Sequence, residues 1–189
     1  MNTRPARSNR RICLRRAGGF SLIEATVAMA VASIGLAIGL PSYTSVLQRQ
    51  RESAATHLLS AFMASARSTA ITERKPTVVC PNDGHNQCRD DSDWTQGWIM
   101  FRDGDGNHRP DNADDLLRVE AAPRDADLRI VSTSGRPKVT FLANGSAAGS
   151  NLTIRLCRGG VAKAAVIVNR SGRTRVEKPD AASGCPASH

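Results

Sequence analysis

The strongest pattern in the chain is an apolar run near its N-terminus, FSLIEATVAMAVASIGLAIGL at residues 20–40. The run carries a single charged side chain, that of Glu24. An α-helix rises about 1.5 Å per residue, so this length is sufficient to cross the hydrocarbon core of a bilayer. A secretory signal peptide would have a shorter apolar core followed by a small-residue cleavage site. The pattern therefore predicts a transmembrane helix over residues 20–40.

A second helical pattern extends over residues 41–75, beginning at Pro41, which is expected to kink the helix. Its apolar residues recur at spacings of three and four, with Arg and Gln on the opposite side. Sustained heptads of a coiled coil are absent from this segment. We therefore expect the apolar stripe to pack on a globular domain; its members are Val46, Leu58, Leu59, Phe62, Met63, Ala66, Ala70 and Ile71.

Residues 76–189 change to short β-like runs separated by Gly, Asn and Asp. Strands that succeed one another without intervening helices form antiparallel sheets or sandwiches. The predicted fold class is therefore α+β, with a long N-terminal helix (transmembrane plus stalk) followed by an antiparallel β-sheet or sandwich domain. The predicted strands are Thr77–Cys80, Trp98–Arg102, Leu116–Ala121, Leu128–Val131, Lys138–Leu142, Leu152–Cys157, Ala164–Asn169 and Thr174–Lys178.

Charge is distributed unevenly along the chain, whose formal net charge is +9. Residues 1–19 hold six arginines and no acid, which is expected to keep that end in the cytoplasm and to direct the domain beyond the apolar helix out of it. Farther along, residues 75–127 carry a net charge of −6 and residues 128–189 a net charge of +8. This asymmetry indicates either a face that meets a polyanion or ordinary solvated surface charge.

The junction Gly18-Gly19-Phe20-Ser21-Leu22-Ile23-Glu24 resembles the prepilin-peptidase site of type IV pilins and type II secretion pseudopilins. The resemblance implies that residues 1–19 are a leader, that the peptidase cleaves between Gly19 and Phe20, and that the new N-terminus is methylated. A lone carboxylate in a membrane costs roughly 2.5–3.5 kcal/mol and needs a partner. We therefore expect Glu24 to pair with the amine of Phe20 on a neighbouring pilin subunit. A plain single-pass anchor with a stray Glu is the alternative.

The segment from Trp94 to Asn107, WTQGWIMFRDGDGN, resembles the GspH/FimT branch of minor pilins and pseudopilins. In that branch a Gly-Trp strand is followed by an acidic, glycine-rich turn and a second strand, here Leu116 to Val119. The turn also half-matches a calcium loop, but His108 occupies the place of the required glycine and the last ligand is Asp instead of Glu. We interpret it as a solvated hairpin loop and predict no metal site; the acids and amide concerned are Asp103, Asp105, Asn107 and Asp114.

Five cysteines are present, and one of them, Cys13, lies in the leader. The mature chain keeps Cys80, Cys88, Cys157 and Cys185, an even number suited to an oxidising compartment. Three connectivities are possible. We favour Cys80–Cys88, which closes a small loop, and Cys157–Cys185, which ties the C-terminal tail to a strand. Zinc ligation is the competing interpretation, but no Cys-x-x-Cys spacing supports it.

The sequence offers no catalytic constellation. The four histidines are scattered, no glycine-rich phosphate loop is present, and the nucleophile-elbow pattern is missing around the one Gly-Ser pair considered, at residues 145–146. We therefore expect a protein that is not an enzyme and that needs no cofactor.

A basic segment near the C-terminus, NRSGRTRVEK at residues 169–178, carries the most informative polar pattern. In an extended strand, Arg173 and Arg175 would project on the same side about 6.5–7 Å apart, which is close to the phosphate spacing along one nucleic-acid strand. Arginine suits this task because its planar guanidinium grips phosphate oxygens bidentately. Arg170 and Lys178 flank the pair.

Gly172-Arg173-Thr174-Arg175 matches the Gly-Arg-x-Arg motif of FimT-like minor pilins that bind DNA during natural transformation. The resemblance implies that Arg173 and Arg175 contact DNA and that Gly172 shapes the turn. Few aromatic residues lie nearby to stack bases, so binding is expected to be backbone-directed and sequence-independent.

Two functional interpretations share the same architecture. In the first, the chain is a minor pilin of the inner membrane, single-pass with a periplasmic domain, which joins other pilin subunits in an extracellular type IV pilus and captures DNA for uptake. In the second, it is a structural minor pilin or type II secretion pseudopilin that supports filament assembly without touching DNA. The two differ only in the role of the Gly-Arg-Thr-Arg loop.

Overall fold

The computed structural model describes residues 19–180 and 184–186, except for the side chains of residues 38–42. The predicted leader, apart from Gly19, therefore lies outside the described residues. The chain divides into two compact units, Met1–Thr44 and Ser45–His189. A helix, α1 (Leu22–Glu73), provides the described secondary structure of the first unit and continues into the second.

In the first unit, α1 begins at Leu22, directly after three non-helical residues, and carries Glu24 in its first turn. The large apolar side chains of this segment are exposed, as for Phe20 and Leu22 at 79% and 83%. Among the residues that the structure describes, no helix combines the length and the apolarity needed to cross a bilayer. The membrane-spanning run predicted over 20–40 includes positions 38–40, whose side chains are outside the described set.

In the second unit, the predicted apolar stripe of α1 forms one side of the main core. Leu59, Phe62, Met63, Ala66 and Ala70 are fully buried, and Leu58 packs against them. At the two ends of the stripe, Val46 and Ile71 are 50% and 47% exposed. Ile71 still contacts the turn at Gly145, so the expectation was wrong for Val46 alone. The apolar period begins before the buried part of the helix, so periodicity alone overestimates the buried length.

The helix ends where three local features coincide. Arg74 adopts a positive φ of 54°, which stops the helical hydrogen-bond pattern. Pro76 comes two residues later and cannot continue a helix. The last helical residue, Glu73, pairs with the guanidinium of Arg102, which also donates to the Asp114 carbonyl at 2.8 Å. This pair ties the helix end to the second strand of the domain.

Eight strands come after the helix, as the sequence predicted, and each predicted strand overlaps an observed one. Within the described residues they form two four-stranded antiparallel sheets, ordered β3-β2-β1-β5 and β4-β6-β7-β8. This confirms the α+β fold class. The strands are β1 (Thr77–Pro81), β2 (Gly97–Arg102), β3 (Leu116–Ala121), β4 (Leu128–Ser132), β5 (Val139–Phe141), β6 (Leu152–Arg158), β7 (Val161–Val168) and β8 (Thr174–Glu177).

The core between α1 and the sheets is built around two tryptophans. Trp94 and Trp98 are fully buried with ring centroids 6.5 Å apart. Phe62 of α1 meets Trp98 edge-to-face at 6.2 Å, and the Arg118 guanidinium lies 5.1 Å over the Phe62 ring. Such aromatic and cation–π contacts each add about 0.5–1.5 kcal/mol to the burial of area. They join α1 to strands β2 and β3 of the first sheet.

Both favoured disulfides are present in the structure. Cys80–Cys88 closes the loop after β1, with Cα atoms 5.4 Å apart. Cys157–Cys185 joins β6 to the C-terminal segment, with Cα atoms 5.9 Å apart. The Cys185 amide also donates to the Gly160 carbonyl at 2.9 Å. The second bridge therefore encloses β7, the basic hairpin and β8 in one covalent loop.

A half-buried ion cluster holds the second sheet to α1. Arg158 of β6 donates to Glu52 and to Asp125, each at 2.6 Å. The three side chains are 13%, 15% and 5% exposed, respectively. The hydrogen bond from Arg158 holds the pKa of Asp125 below its usual range. The same hydrogen bond to Asp125 raises the pKa of Arg158.

Candidate nucleic-acid interface

The basic segment forms the hairpin that connects β7 to β8. Val168 pairs with Thr174 at the end of the ladder, and the Asn169 amide donates to the Arg173 carbonyl at 3.1 Å. The Asn169 side chain accepts bonds from the Arg173 amide at 2.9 Å and the Ser171 hydroxyl at 2.8 Å. An asparagine at this position satisfies the backbone of a tight turn. The loop is therefore defined by its own polar groups.

Gly172 is the buried residue of this otherwise exposed turn, and its φ is +74°. A Cβ added there would lie 3.0 Å from the carbonyl carbon of Gly145 and closer still to its oxygen. Arg67 of α1 donates from Nε to that same oxygen at 2.8 Å. A glycine is required at position 172 by both the left-handed backbone and the close approach. The hairpin is thus pressed against the turn at residues 142–147 and against α1.

The same two turns are linked by backbone bonds on the other side of the loop. The Ala147 amide donates to the Arg170 carbonyl at 3.0 Å. The Arg170 amide in turn donates to the Asn151 side chain at 3.2 Å. The backbone of Arg170 is therefore fixed while its side chain is exposed.

The side chains of Arg170, Arg173, Arg175 and Lys178 are all exposed. Arg173 is the last residue of the hairpin connection, whereas Arg175 is the second residue of β8 and lies opposite Ile167. The predicted strand Thr174–Lys178 likewise left Arg173 just outside, and the same-side spacing proposed for Arg173 and Arg175 stays a prediction. Arg173 borders a groove between the hairpin and α1.

Arg175 has a partner that was not predicted from the sequence. Its Nε lies 2.8 Å from a carboxylate oxygen of Glu177, and the two side chains are 57% and 48% exposed. Residues two apart on a strand project on the same side, so the spacing itself contained this signal. Within the described residues, Arg173 has no ion-pair partner. The two arginines of the motif therefore differ, because a phosphate that binds Arg175 must displace Glu177 whereas one that binds Arg173 displaces no carboxylate.

Arg67 is a residue of the candidate site that sequence reasoning missed. It lines the groove beside Gly172 and Arg173, together with small side chains of α1 such as Ser60 and Ala64. Arg67 and Gly172 are far apart in sequence, so only the packing of α1 on the hairpin brings them together. A local motif carries no signal for such a contact.

The other predicted site residues lie elsewhere. Gly19, Phe20 and Glu24 are exposed residues of the first unit, at the start of α1. In the acidic hairpin loop, Asp103 is 2% exposed and accepts the His108 amide at 3.2 Å. Its second oxygen lies 2.9 Å from Nδ1 of His108. Among the described residues, no cluster of three or more His, Cys, Asp or Glu side chains is arranged to hold a metal ion.

Comparison with known protein families gives two matches. Residues 55–172 match the family described as type II transport protein GspH, which covers more than half of the chain. Residues 14–40 match the prokaryotic N-terminal methylation motif. No curated protein matches the chain.

The fold is similar to solved structures of a type IV minor pilin. The type IV minor pilin FimU of Pseudomonas aeruginosa strain PAO1 superimposes with a TM-score of 0.57 and 22% identity, covering 72% of this chain and 98% of that chain. A second crystal form of FimU gives 0.52 and 20%, covering 69% and 99%. The minor pseudopilin EpsH of the Vibrio cholerae type II secretion system gives 0.48 and 12%, covering 69% and 98%. At these identities the likeness to FimU is one of fold.

Proposed function

We propose that this chain, a type IV minor pilin or pseudopilin that belongs to the type II transport protein GspH family, binds DNA through the Gly172–Arg175 hairpin and supports DNA uptake. The observation that carries the proposal is the arrangement around Gly172. This residue is buried against Gly145 and α1, while the arginines beside it stay exposed. Exposed guanidinium groups on a turn whose backbone is packed in place suit backbone-directed phosphate binding.

Charge supports the same interpretation. Phosphate groups attract arginine through bidentate, charge-assisted hydrogen bonds. Arg173 is free of acidic partners among the described residues, and Arg175 pairs with Glu177 only at the exposed surface. An exposed ion pair is worth about 0–1 kcal/mol, so a phosphate can displace Glu177 at small cost. The hairpin therefore offers two guanidinium groups to one polyanion.

The mode of binding depends on the side chains at the site. No aromatic side chain is among the described residues that line the groove beside Arg173, so base stacking contributes nothing there. Contacts to phosphate carry no sequence information. We therefore expect weak, sequence-independent binding by one subunit, strengthened when many subunits or several hairpins engage the same DNA.

In this proposal, the N-terminal segment anchors the chain in the membrane and mediates its assembly into a filament. The prepilin peptidase removes residues 1–19 between Gly19 and Phe20, and residues 20–40 anchor the chain once across the inner membrane before it enters a pilus. Glu24 of one subunit pairs with the new amine of Phe20 on its neighbour, since a carboxylate alone among apolar residues is costly. The β-rich domain is then periplasmic until the subunit joins the filament.

The assembly step is tested with Glu24→Ala in full-length protein, with Thr26→Val as a control in the same run. Glu24→Ala is expected to insert in the membrane and to be absent from sheared filaments, while the control is incorporated. Normal incorporation of Glu24→Ala would remove the proposed pairing.

DNA binding is tested with Arg173→Gln/Arg175→Gln in full-length protein held in a non-ionic detergent. Fluorescence anisotropy with labelled DNA of unrelated sequences is measured across a salt series. The double variant is expected to lose most binding, and its slope of log affinity against log salt to fall by about 1.4–1.8. The charge-matched control Lys75→Gln/Arg109→Gln keeps both hairpin arginines. Equal binding by the two double variants would exclude the hairpin as the site.

A structural role without DNA binding is the second candidate. It is favoured by the description of the matching family, which is one of type II transport, and by the pairing of Arg175 with Glu177. In that case the Arg173→Gln/Arg175→Gln variant changes neither filament assembly nor secretion, and wild-type protein shows no salt-dependent affinity for DNA.

A further inference from the structure

Grooves lie between β8 and α1 in the second unit. Within the described residues, β8 is the last strand of its sheet and pairs with β7 alone. One groove is lined by Gly172 to Thr174 and by Ser60 to Ile71 of α1, and the next by Val176 to Lys178, by Arg49 to His57 of α1 and by Lys163 and Ala164 of β7. The strand and the helix therefore run in opposite directions with a groove beside each half of β8, and these grooves together are called the α1–β8 cleft. The cleft extends well beyond the Gly-Arg-Thr-Arg hairpin.

Within the part of the chain that the structure describes, cations without acidic partners lie at both ends of this cleft. Near the hairpin they come from α1 and from the turn, and at the far end from α1, β7 and the residue after β8. The acids that line the cleft are Glu52 and Glu177, and each is already in an ion pair, with Arg158 and Arg175. The electrostatic potential in the cleft is therefore positive. The cations that produce it are Arg67, Arg173, Lys178, Lys163 and Arg49.

The dimensions suit one extended chain. The helical rise places Arg49 and Arg67 about 27 Å apart along α1. The stretches of the cleft measure about 260, 360 and 390 Å³, which is near the lower end of the range for ligand sites. A row of cations of this length can follow one extended phosphodiester strand, whereas a duplex would present only one of its two backbones to it. Small side chains such as Ser53, Ser60 and Ala64 line the helix side and leave room for such a strand.

We infer that a nucleic-acid strand bound at the hairpin continues along the α1–β8 cleft and ends at a second cationic group formed by Arg49, Lys163 and Lys178. The inference rests on the proposed function, because it extends the same site. It adds residues of α1 and β7 to the interface and assigns single-stranded nucleic acid as the preferred ligand.

The test compares two triple variants of the full-length protein in non-ionic detergent. Arg49→Gln/Lys163→Gln/Lys178→Gln removes the far group, and Lys75→Gln/Arg109→Gln/Lys138→Gln removes the same net charge from residues that do not line the cleft. Both are measured against single-stranded oligonucleotides of about 3 and about 15 nucleotides and against a duplex, since single-strand sites span roughly 4–16 nucleotides.

The far-group variant is expected to bind the short oligonucleotide as wild type does and to lose most of the gain in affinity that the long one gives. For the long strand, the slope of log affinity against log salt falls by about 2, because three phosphate contacts are lost and each contributes about 0.7 on a single strand. Equal losses in the two triple variants overturn the inference, as does a preference for duplex over single strand. If the hairpin double variant still reduces binding in that case, the proposed function stands without the cleft. If it does not, both fail.

Discussion

The carbonyl oxygen of Gly145 occupies the space that a side chain at Gly172 would need. It also accepts the Nε of Arg67 at 2.8 Å. Two turns and the helix therefore meet at one backbone oxygen. The position of the basic hairpin depends on this contact, since the exposed arginines themselves make few bonds that would hold it.

Gly172→Ala is expected to displace the hairpin while leaving every arginine in the sequence. The substitution adds left-handed strain of about 1–3 kcal/mol and an overlap with the Gly145 carbonyl. We expect a lower melting temperature and a weaker affinity for DNA, measured by thermal unfolding and anisotropy. Gly159→Ala is the matched control, because its φ is +58° and no atom lies within 4 Å of the added Cβ.

This control separates the effect of left-handed backbone strain from that of the overlap with the Gly145 carbonyl. Gly159→Ala carries the backbone cost alone, so it should destabilise the protein by less and leave DNA affinity unchanged. Equal loss of stability in both variants would mean that the Gly145 contact contributes nothing.

Glu177→Gln is expected to strengthen DNA binding. The change frees Arg175 from its exposed pair and removes a negative charge beside the hairpin. A phosphate then no longer competes with the carboxylate, so the affinity should rise while the slope of log affinity against log salt stays close to that of the wild type, because the number of phosphate contacts is unchanged. Glu120→Gln makes the same change in net charge at the Arg118 pair of β3, which is outside the cleft. If both variants bind DNA equally well, net charge explains the gain and the local pair does not.

The sequence predicted the fold more fully than the site, for physical reasons. The eight strands are recognisable from alternation of residue types and from turn residues, which are local signals. The pairing of Arg175 with Glu177 was also local, and the period of two would have found it. In contrast, the approach of Arg67 and Gly145 to Gly172 arises from packing between distant segments, which no local pattern encodes. The exposure of Val46 has a similar origin, because it depends on how far the domain extends along α1.

Asp125 is expected to make the stability of the domain dependent on acid pH. Arg158 holds the pKa of Asp125 in the folded state below its ordinary value of about 3.9. The ionised carboxylate therefore stabilises the fold above the unfolded-state pKa, and this contribution is lost as pH falls through the lower folded-state value. Asp125→Asn should lower the free energy of unfolding by about 1–3 kcal/mol at neutral pH and flatten its decline in acid. Denaturant unfolding at a series of pH values measures both.

Asp127→Asn is the control for this cluster. Asp127 lies 3.8 Å from Arg158 but is 76% exposed, so its loss should change stability by less than about 1 kcal/mol. A pH profile of Asp125→Asn that parallels the wild-type profile would contradict the role assigned to the buried pair.

Removal of the two disulfides is expected to have unequal effects. In the chain-entropy model, a bridge stabilises the folded state by restricting the unfolded chain, and it does so more strongly for longer loops. The sequence separations are 28 for Cys157–Cys185 and 8 for Cys80–Cys88. Loops of these lengths correspond to about 3.5 and about 2.5 kcal/mol. Cys157→Ala/Cys185→Ala should therefore unfold at lower denaturant concentration than Cys80→Ala/Cys88→Ala.

The longer loop should also act locally, because it encloses the hairpin and β8, and β8 is held by one neighbouring strand only. Relative to wild type, loss of Cys157–Cys185 should accelerate amide exchange in β8 more than in β1, since the bridge encloses β8 and an edge strand opens readily. Hydrogen exchange followed by mass spectrometry resolves the two strands, and the Cys80→Ala/Cys88→Ala variant should accelerate exchange in β1 more than in β8. Uniform acceleration across both sheets would show that the bridge stabilises the whole domain and gives the basic hairpin no particular support.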